Sequence, residues 1–376
     1  MAFSPSGEPR VRSWWKEAVL GILCLAAGLL VSLTLLETVL RLDLFAPSFD
    51  MNGLKIVLDP KVLYKIAPHS RGDINGAGLR GPEFAARGGG RKRILFMGDS
   101  FVFGVNVKPE QAMPQVLGGL LGPQYEVVNT GIQGYGPDQS LIQLLEDGLE
   151  WHPDMVLLSL YPTNDFADIE KNRLFDIREG RFVREKTTLT DVFFPQWRIL
   201  YWLNLFRQRV ANSNPGTDSG HFYDPFDSKS YRDLFYTFFD DLMDVDFMDV
   251  PDSGKAGRKR ALMRGVLSRF QQELAQKNIP FFVFIIPTGE NIQDFHTFES
   301  MKMPPEKYFS NEDAAMAVCR ELLIPCLNLY PLFLERRNEI DFFDLEDGHL
   351  TPEGYRFVSR FLAFYIRSLE RARGRQ

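Results

Sequence analysis

The stretch RILFMGDSFVFG, residues 93–104, decides how the rest of the chain is read. The apolar run Ile94 to Met97, preceded by the aliphatic stem of Arg93, reads as a short buried strand, and Gly98 breaks it. Two readings meet at the break. Asp99 and Ser100 are both common helix-cap types, so an ordinary strand-to-helix turn accounts for them. A sharp turn at the same place would instead present Ser100 as a nucleophile. The remainder of the chain separates the two.

From Arg93 onward the sequence alternates between strand and helix. Strands are predicted over 93–98, 125–130, 155–161, 281–287 and 325–329, and helices over about 110–121, 138–150, 258–277, 311–323 and 352–371. This alternation predicts a parallel sheet. Thr351 as N-cap and Pro352 in the first turn mark the start of the last helix. Between about 166 and 257 the regularity lapses, and the stretch reads as an insertion or cap. Within it WRILYWLNLFRQRV, 197–210, is an aromatic amphipathic helix candidate, read first as packing on its own domain. The acidic run DDLMDVDFMDVPD, 240–252, lacks the glycine and glutamate that a calcium loop places at its sixth and twelfth positions, and reads as solvated surface.

With 376 residues, 45% hydrophobic and 24% charged, the chain can bury a sizeable core, and a net charge of -6 gives no reason to expect a nucleic-acid partner. One stretch departs from the globular pattern. Ala18 to Leu36 is uncharged and long enough to cross a bilayer core. Arg10, Arg12 and Lys16 precede it and Trp14 and Trp15 stand at the expected interface, so the N-terminus is expected in the cytoplasm and the bulk of the chain in the bacterial periplasm. The run exceeds a usual signal-peptide core and no small-x-small site ends it, which favours an uncleaved anchor. Three cysteines, Cys24, Cys319 and Cys326, show neither zinc spacing nor a disulfide framework, and the last two read as packing residues. The expected organisation is a tail and anchor over 1–42, a glycine-rich linker and domain entrance over 43–92, and the main domain over 93–376.

In a parallel sheet the loops after the strands gather on one edge, where sites form. Those loops carry Gly98, Asp99 and Ser100, then NTGIQGYG (129–136), PTNDF (162–166) and EDGHLTPEGY (346–355). Acyl transfer through serine needs a base, a group to orient it, and donors aimed at the developing oxyanion. His349 is the candidate base and Asp347 the orienting carboxylate. The candidate donors are the backbone N–H groups of Ser100 and Gly134 and the side-chain amide of Asn164. The other four histidines, His69, His152, His221 and His296, have no comparable surroundings.

The set GDS at 98–100, the glycine within NTGIQGYG, Asn164–Asp165 and DGH at 347–349 resembles the SGNH, or GDSL, hydrolase superfamily over most of the chain from Arg93 onward. GLRGPEF, 78–84, looks like the entrance segment of membrane-anchored bacterial members. The resemblance implies a flavodoxin-like α/β three-layer sandwich, with Ser100 as nucleophile, His349 as base, and Gly134 and Asn164 as oxyanion donors. Gly98, Asp99, Asp165 and Glu346 would support them, and no metal or organic cofactor is expected. Family substrates are esters of many kinds. Together with the anchor, this makes a serine esterase acting on an acylated, above all O-acetylated, envelope glycan the expected function. O-acetyl transfer to an exopolysaccharide, lipid ester hydrolysis and noncatalytic glycan binding are the alternatives. Two departures stand out. The superfamily's Asp-x-x-His spacing would fall on Glu346, whereas Asp347 fits the Asp-x-His spacing of exopolysaccharide O-acetyltransferase relatives. Pro162 replaces the common Gly of the Gly-x-Asn-Asp block.

Overall fold

The computed structural model describes residues 14–40, 48–51, 53–59, 61–84, 90–185, 254–289, 292–293, 310–345 and 347–373. The chain divides into two compact units, residues 1–46 with 186–218, and residues 47–185 with 219–376. The described part of the first unit is one helix, α1 (Trp14–Leu40). Its segment Ala18–Val39 is long and apolar enough to cross a membrane. The hydroxyls of Ser32, Thr34 and Thr38 donate to carbonyls one turn back at 2.8–2.9 Å, so these polar side chains are satisfied within the helix.

The second unit opens with a three-stranded antiparallel sheet, β1 (Ser48–Met51), β2 (Leu54–Asp59) and β3 (Leu63–Ile66). Its centre is a five-stranded sheet of β4 (Lys92–Met97), β5 (Tyr125–Asn129), β6 (Met155–Leu160), β9 (Phe281–Ile285) and β10 (Cys326–Asn328). The strands lie in the order β10-β9-β6-β4-β5, every pair parallel. This is the flavodoxin-like order, with a topological switch point between β4 and β6.

Strands buried on both faces read as continuous apolar runs, and successive side chains feed opposite cores. Leu95, Met97, Val156, Leu158, Val283 and Ile285 enter one core, together with α4 (Pro137–Gln143), α5 (Asp165–Asn172), α6 (Gly254–Gln276) and α7 (Ser310–Glu321). Ile94, Phe96, Met155, Leu157, Phe282 and Phe284 enter the other, with α3 (Met113–Leu121), α8 (Tyr330–Arg336) and α9 (Pro352–Arg373). The result is the helix–sheet–helix sandwich expected from the sequence. Thr351 caps α9 as expected, its hydroxyl accepting the Gly354 N–H at 3.1 Å.

Two stretches hold more structure than their sequence suggested. In the segment read as a linker, Leu54, Ile56, Val62, Tyr64 and Ile66 are buried in the first core. Their period-two pattern is short and stands beside a glycine-rich stretch. At the start of the presumed insertion, α5 is followed by the hairpin β7 (Phe175–Arg178) and β8 (Arg181–Arg184), turning through Glu179 and Gly180, both at positive φ. The 197–210 and 240–252 segments lie outside the described residues. Cys319 and Cys326 are free thiols, buried and half-buried.

Asp138, in the first turn of α4, is fully buried and accepts the Asn172 Nδ2 at 3.0 Å, with no partner for Oδ2 among the described residues. Burial raises its carboxyl to about 7, against the hydrogen bonds that favour the anion. The native state therefore keeps a proton that the unfolded chain loses above about 4. This contribution weakens the fold as pH rises, and the loss is complete above about 7. Asp138→Asn is expected to gain melting temperature relative to the parent at pH 8 and to show little gain at pH 4, measured by thermal denaturation at both.

Candidate active site

The first chemical asset stands where β4 ends. Gly98 has φ +151°, and a Cβ there would lie 2.7 Å from Val102 Cγ2 and 3.0 Å from Ser159 Cβ. The chain then turns at once into the one-turn helix α2 (Ser100–Phe103). Asp99, not Ser100, is the cap: its carboxylate accepts the Phe101 N–H at 2.9 Å. Ser100 is the first helical residue, and its hydroxyl is left for another use. Gly98→Ala is expected to cost roughly 1–3 kcal/mol and to displace this turn. A lowered melting temperature together with lost activity would show it.

The end of α2 is held from the segment 78–84. Buried Arg80 donates to the carbonyls of Phe103 at 3.2 Å, Gly104, and Val107 at 2.8 Å, and its Nε reaches Asp73 Oδ2 at 2.7 Å. A guanidinium placed on the last carbonyls of a helix satisfies acceptors that have no partner within it. The sequence marked GLRGPEF as an entrance segment; the structure gives its arginine this task.

His349 comes from the loop before α9. Its Nε2 lies 2.9 Å from Ser100 Oγ. The loop is closed by Asp344 N–H to His349 O and by Gly348 N–H to Asp344 O, both 2.8 Å, with Gly348 at φ +77°. The Phe101 ring packs 5.1 Å from the imidazole, and Tyr161 packs 4.5 Å from Phe101. Asp347 accepts the His349 backbone N–H at 3.0 Å through Oδ1, while Oδ2 stands 3.3 Å from His349 Nδ1. Burial pushes the Asp347 carboxyl up, but the His349 ring and backbone N–H outweigh it and hold the group below its ordinary value. Glu346 lies outside the described residues. Asp99 behaves in the opposite way. Burial raises its carboxyl to about 6, against the Phe101 N–H and the nearby His349.

Asn164 and Gly134 stand on neighbouring loops of the same edge. Asn164 is the N-cap residue of α5, and its Nδ2 donates one hydrogen to Asp168 Oδ2 at 2.8 Å, leaving a second available. The loop is folded by Asp165, whose carboxylate accepts the Tyr161 N–H at 2.7 Å. The Pro162 carbonyl accepts Asn311 Nδ2 at 3.2 Å, so the loop is tied from α7 where glycine is the common residue. Gly134 has φ +73°. Its loop is fixed by Tyr64, whose hydroxyl donates to Gln133 O at 2.7 Å, and by Tyr135, whose hydroxyl donates to Tyr64 O at 2.6 Å. His349 thus contacts Ser100 through Nε2 and Asp347 through Nδ1 and its backbone N–H, whereas neither Gly134 nor Asn164 hydrogen-bonds to these three among the described residues. Sequence reasoning missed Asn106, whose Nδ2 donates to Asp347 Oδ2.

No family model matches the chain, and no curated protein sequence does. Among solved structures, the chain is similar to a lipolytic protein of the G-D-S-L family from Desulfitobacterium hafniense DCB-2, at 13% identity and a TM-score of 0.37, over 73% of this chain and 98% of that one. A lipase/acylhydrolase from Enterococcus faecalis is similar at 12% identity and a TM-score of 0.39, over 74% and 96%. An acetylxylan esterase from Geobacillus stearothermophilus, solved as a catalytic mutant, is similar at 15% and 0.37, over 74% and 94%. Likenesses this loose assign no chemistry, and what the site can do follows from its own distances.

Proposed function

We propose that the chain is a membrane-anchored serine esterase of the SGNH type, hydrolysing ester-linked acyl groups, above all O-acetyl groups on envelope or extracellular glycans. The observation that carries this reading is the 2.9 Å contact between His349 Nε2 and Ser100 Oγ at the carboxyl edge of the sheet. In this mechanism His349 takes the Ser100 proton as Oγ attacks the ester carbonyl. The oxyanion accepts from the backbone N–H groups of Ser100 and Gly134 and from the second Nδ2 hydrogen of Asn164. Collapse breaks the ester C–O bond, and the departing alcohol takes its proton from His349. Water, deprotonated by the same ring, attacks the acyl-enzyme and releases the carboxylic acid and free Ser100. Asp347 keeps the Nδ1 proton facing it, so that Nε2 is the nitrogen able to accept.

The anchor reading rests on α1, and the glycan on the motif resemblance joined to it. In this proposal α1 crosses the membrane once with the N-terminus inside. Asn164→Ala is expected to lower kcat roughly a hundred- to a thousandfold in steady-state hydrolysis of p-nitrophenyl acetate. Asp347, at the Asp-x-His spacing, favours one second reading: the acyl group is handed to a sugar hydroxyl instead of water. Purified full-length protein in detergent, given acetylated oligosaccharide, separates the readings. Acetate release independent of an added acceptor glycan supports hydrolysis, and an acetylated product formed only with the acceptor supports transfer. Neither product, from any acetyl ester, overturns both.

A further inference from the structure

Asn106 lies in the loop after α2, at φ +60°, a left-handed conformation that asparagine tolerates better than most residues. The loop around it is clamped, because Arg80 donates to the carbonyls of Phe103 and Gly104 on one side and of Val107 on the other. From this fixed point the Asn106 amide reaches Asp347, 241 residues away in sequence, and donates to Oδ2. That is the same oxygen that stands 3.3 Å from His349 Nδ1, while Oδ1 is taken by the His349 backbone N–H. Both carboxylate oxygens are therefore held, and only one of the two holds comes from outside the histidine loop.

We propose that Asn106 is a positioning residue, whose amide keeps the Asp347 carboxylate turned toward His349 Nδ1 and so sustains the base. The proposal rests on the esterase reading for its kinetic consequences, but not for its structural one. Besides Asp347, the charged and titratable groups facing this region are Asp99 from the β4–α2 turn and Tyr355 from α9, which lies near both carboxylates and near Arg80. None of these contacts the Asp347 carboxylate in a hydrogen bond among the described residues, so none substitutes for Asn106. Removing the amide has two opposed effects. It returns negative charge to Asp347, which strengthens its pull on the ring; it also frees the carboxylate to swing away, which weakens that pull. The Asp347 side chain is 25% exposed, so water replaces the lost donor and the first effect is small. Loss of orientation dominates, and His349 becomes less effective as a base.

The test uses Asn106→Gly, which suits φ +60° and removes the side chain without backbone strain, so a role confined to the turn predicts no functional change. In full-length protein in detergent, kcat/KM for p-nitrophenyl acetate is expected to fall about tenfold with KM nearly constant. The melting temperature should be retained. The chain has five histidines, so 15N-histidine NMR, with His349→Gln for assignment, follows the imidazole directly. The Nδ1 and Nε2 shifts of His349 are expected to move, reporting the changed contact at Nδ1. Asn106→Asp fills the same space but cannot donate at neutral pH, and a larger fall in kcat/KM is expected. If the parent shows Ser100-dependent hydrolysis and Asn106→Gly leaves kcat/KM and the His349 ring-nitrogen shifts unchanged, the positioning role is overturned alone. If the parent hydrolyses no ester, the esterase reading falls, and the NMR shift still decides whether Asn106 governs His349.

Discussion

Ser100→Ala is expected to abolish ester turnover, with kcat falling on the order of a millionfold. At about 1.4 kcal/mol per factor of ten this is roughly 8 kcal/mol of lost transition-state stabilisation. It reflects the loss of the covalent path, not of one contact. The variant should remain folded, because Oγ makes its one hydrogen bond among the described residues to His349, and the turn is capped by Asp99 instead. His349→Ala should give a loss of the same order, and the double variant should be scarcely worse, since two residues acting as one unit are not additive. Steady-state kinetics with circular dichroism of each variant measures this. Independent, multiplying losses would contradict a shared step.

Asp347→Asn is the second large effect, expected to lower kcat by roughly a thousand- to ten-thousandfold with KM little changed. An asparagine amide beside Nδ1 presents a donor where the site needs an acceptor. The imidazole then protonates Nε2, and the nitrogen 2.9 Å from Ser100 Oγ can no longer take its proton. The measurement is kcat and KM across pH 5 to 9, at pH values where the parent Asp347, held below its ordinary value by His349, stays ionised. The stability linked to that depressed carboxyl is present above its unfolded value, near 3.8, and is lost as pH falls through the lower folded value. Asp347→Asn should therefore cost stability at neutral pH and converge with the parent in acid.

The sheet was legible because its strands carry their own signal. Runs such as MVLLSL and FFVFI are apolar on both faces, and in a parallel sheet both faces are buried. The candidate site residues stood out in the sequence for a different reason: Gly98-Asp99-Ser100, Asn164 and His349 each fall just after a strand or before a helix, at the edge of the sheet where sites form. What escaped the sequence depends on distance. Nothing near Asn106 announces a partner 241 residues on, and nothing in GLRGPEF announces that Arg80 will close the end of α2. β1 to β3 escaped because three short strands beside a glycine-rich stretch have too little pattern to outweigh the turn residues. The roles of Asp99 and Ser100 in the turn, one the cap and the other the first helical residue, were separable only by the hydrogen bond that Asp99 accepts.

The most direct test of the central claim is covalent. Full-length protein treated with a fluorophosphonate probe, digested and mapped by mass spectrometry, should carry one adduct, on Ser100. Labelling should be strongly slowed in His349→Ala and restored by no other serine in Ser100→Ala. A folded parent protein that leaves Ser100 unlabelled, or that carries its adduct on a different residue, would contradict the assignment of Ser100 as the nucleophile.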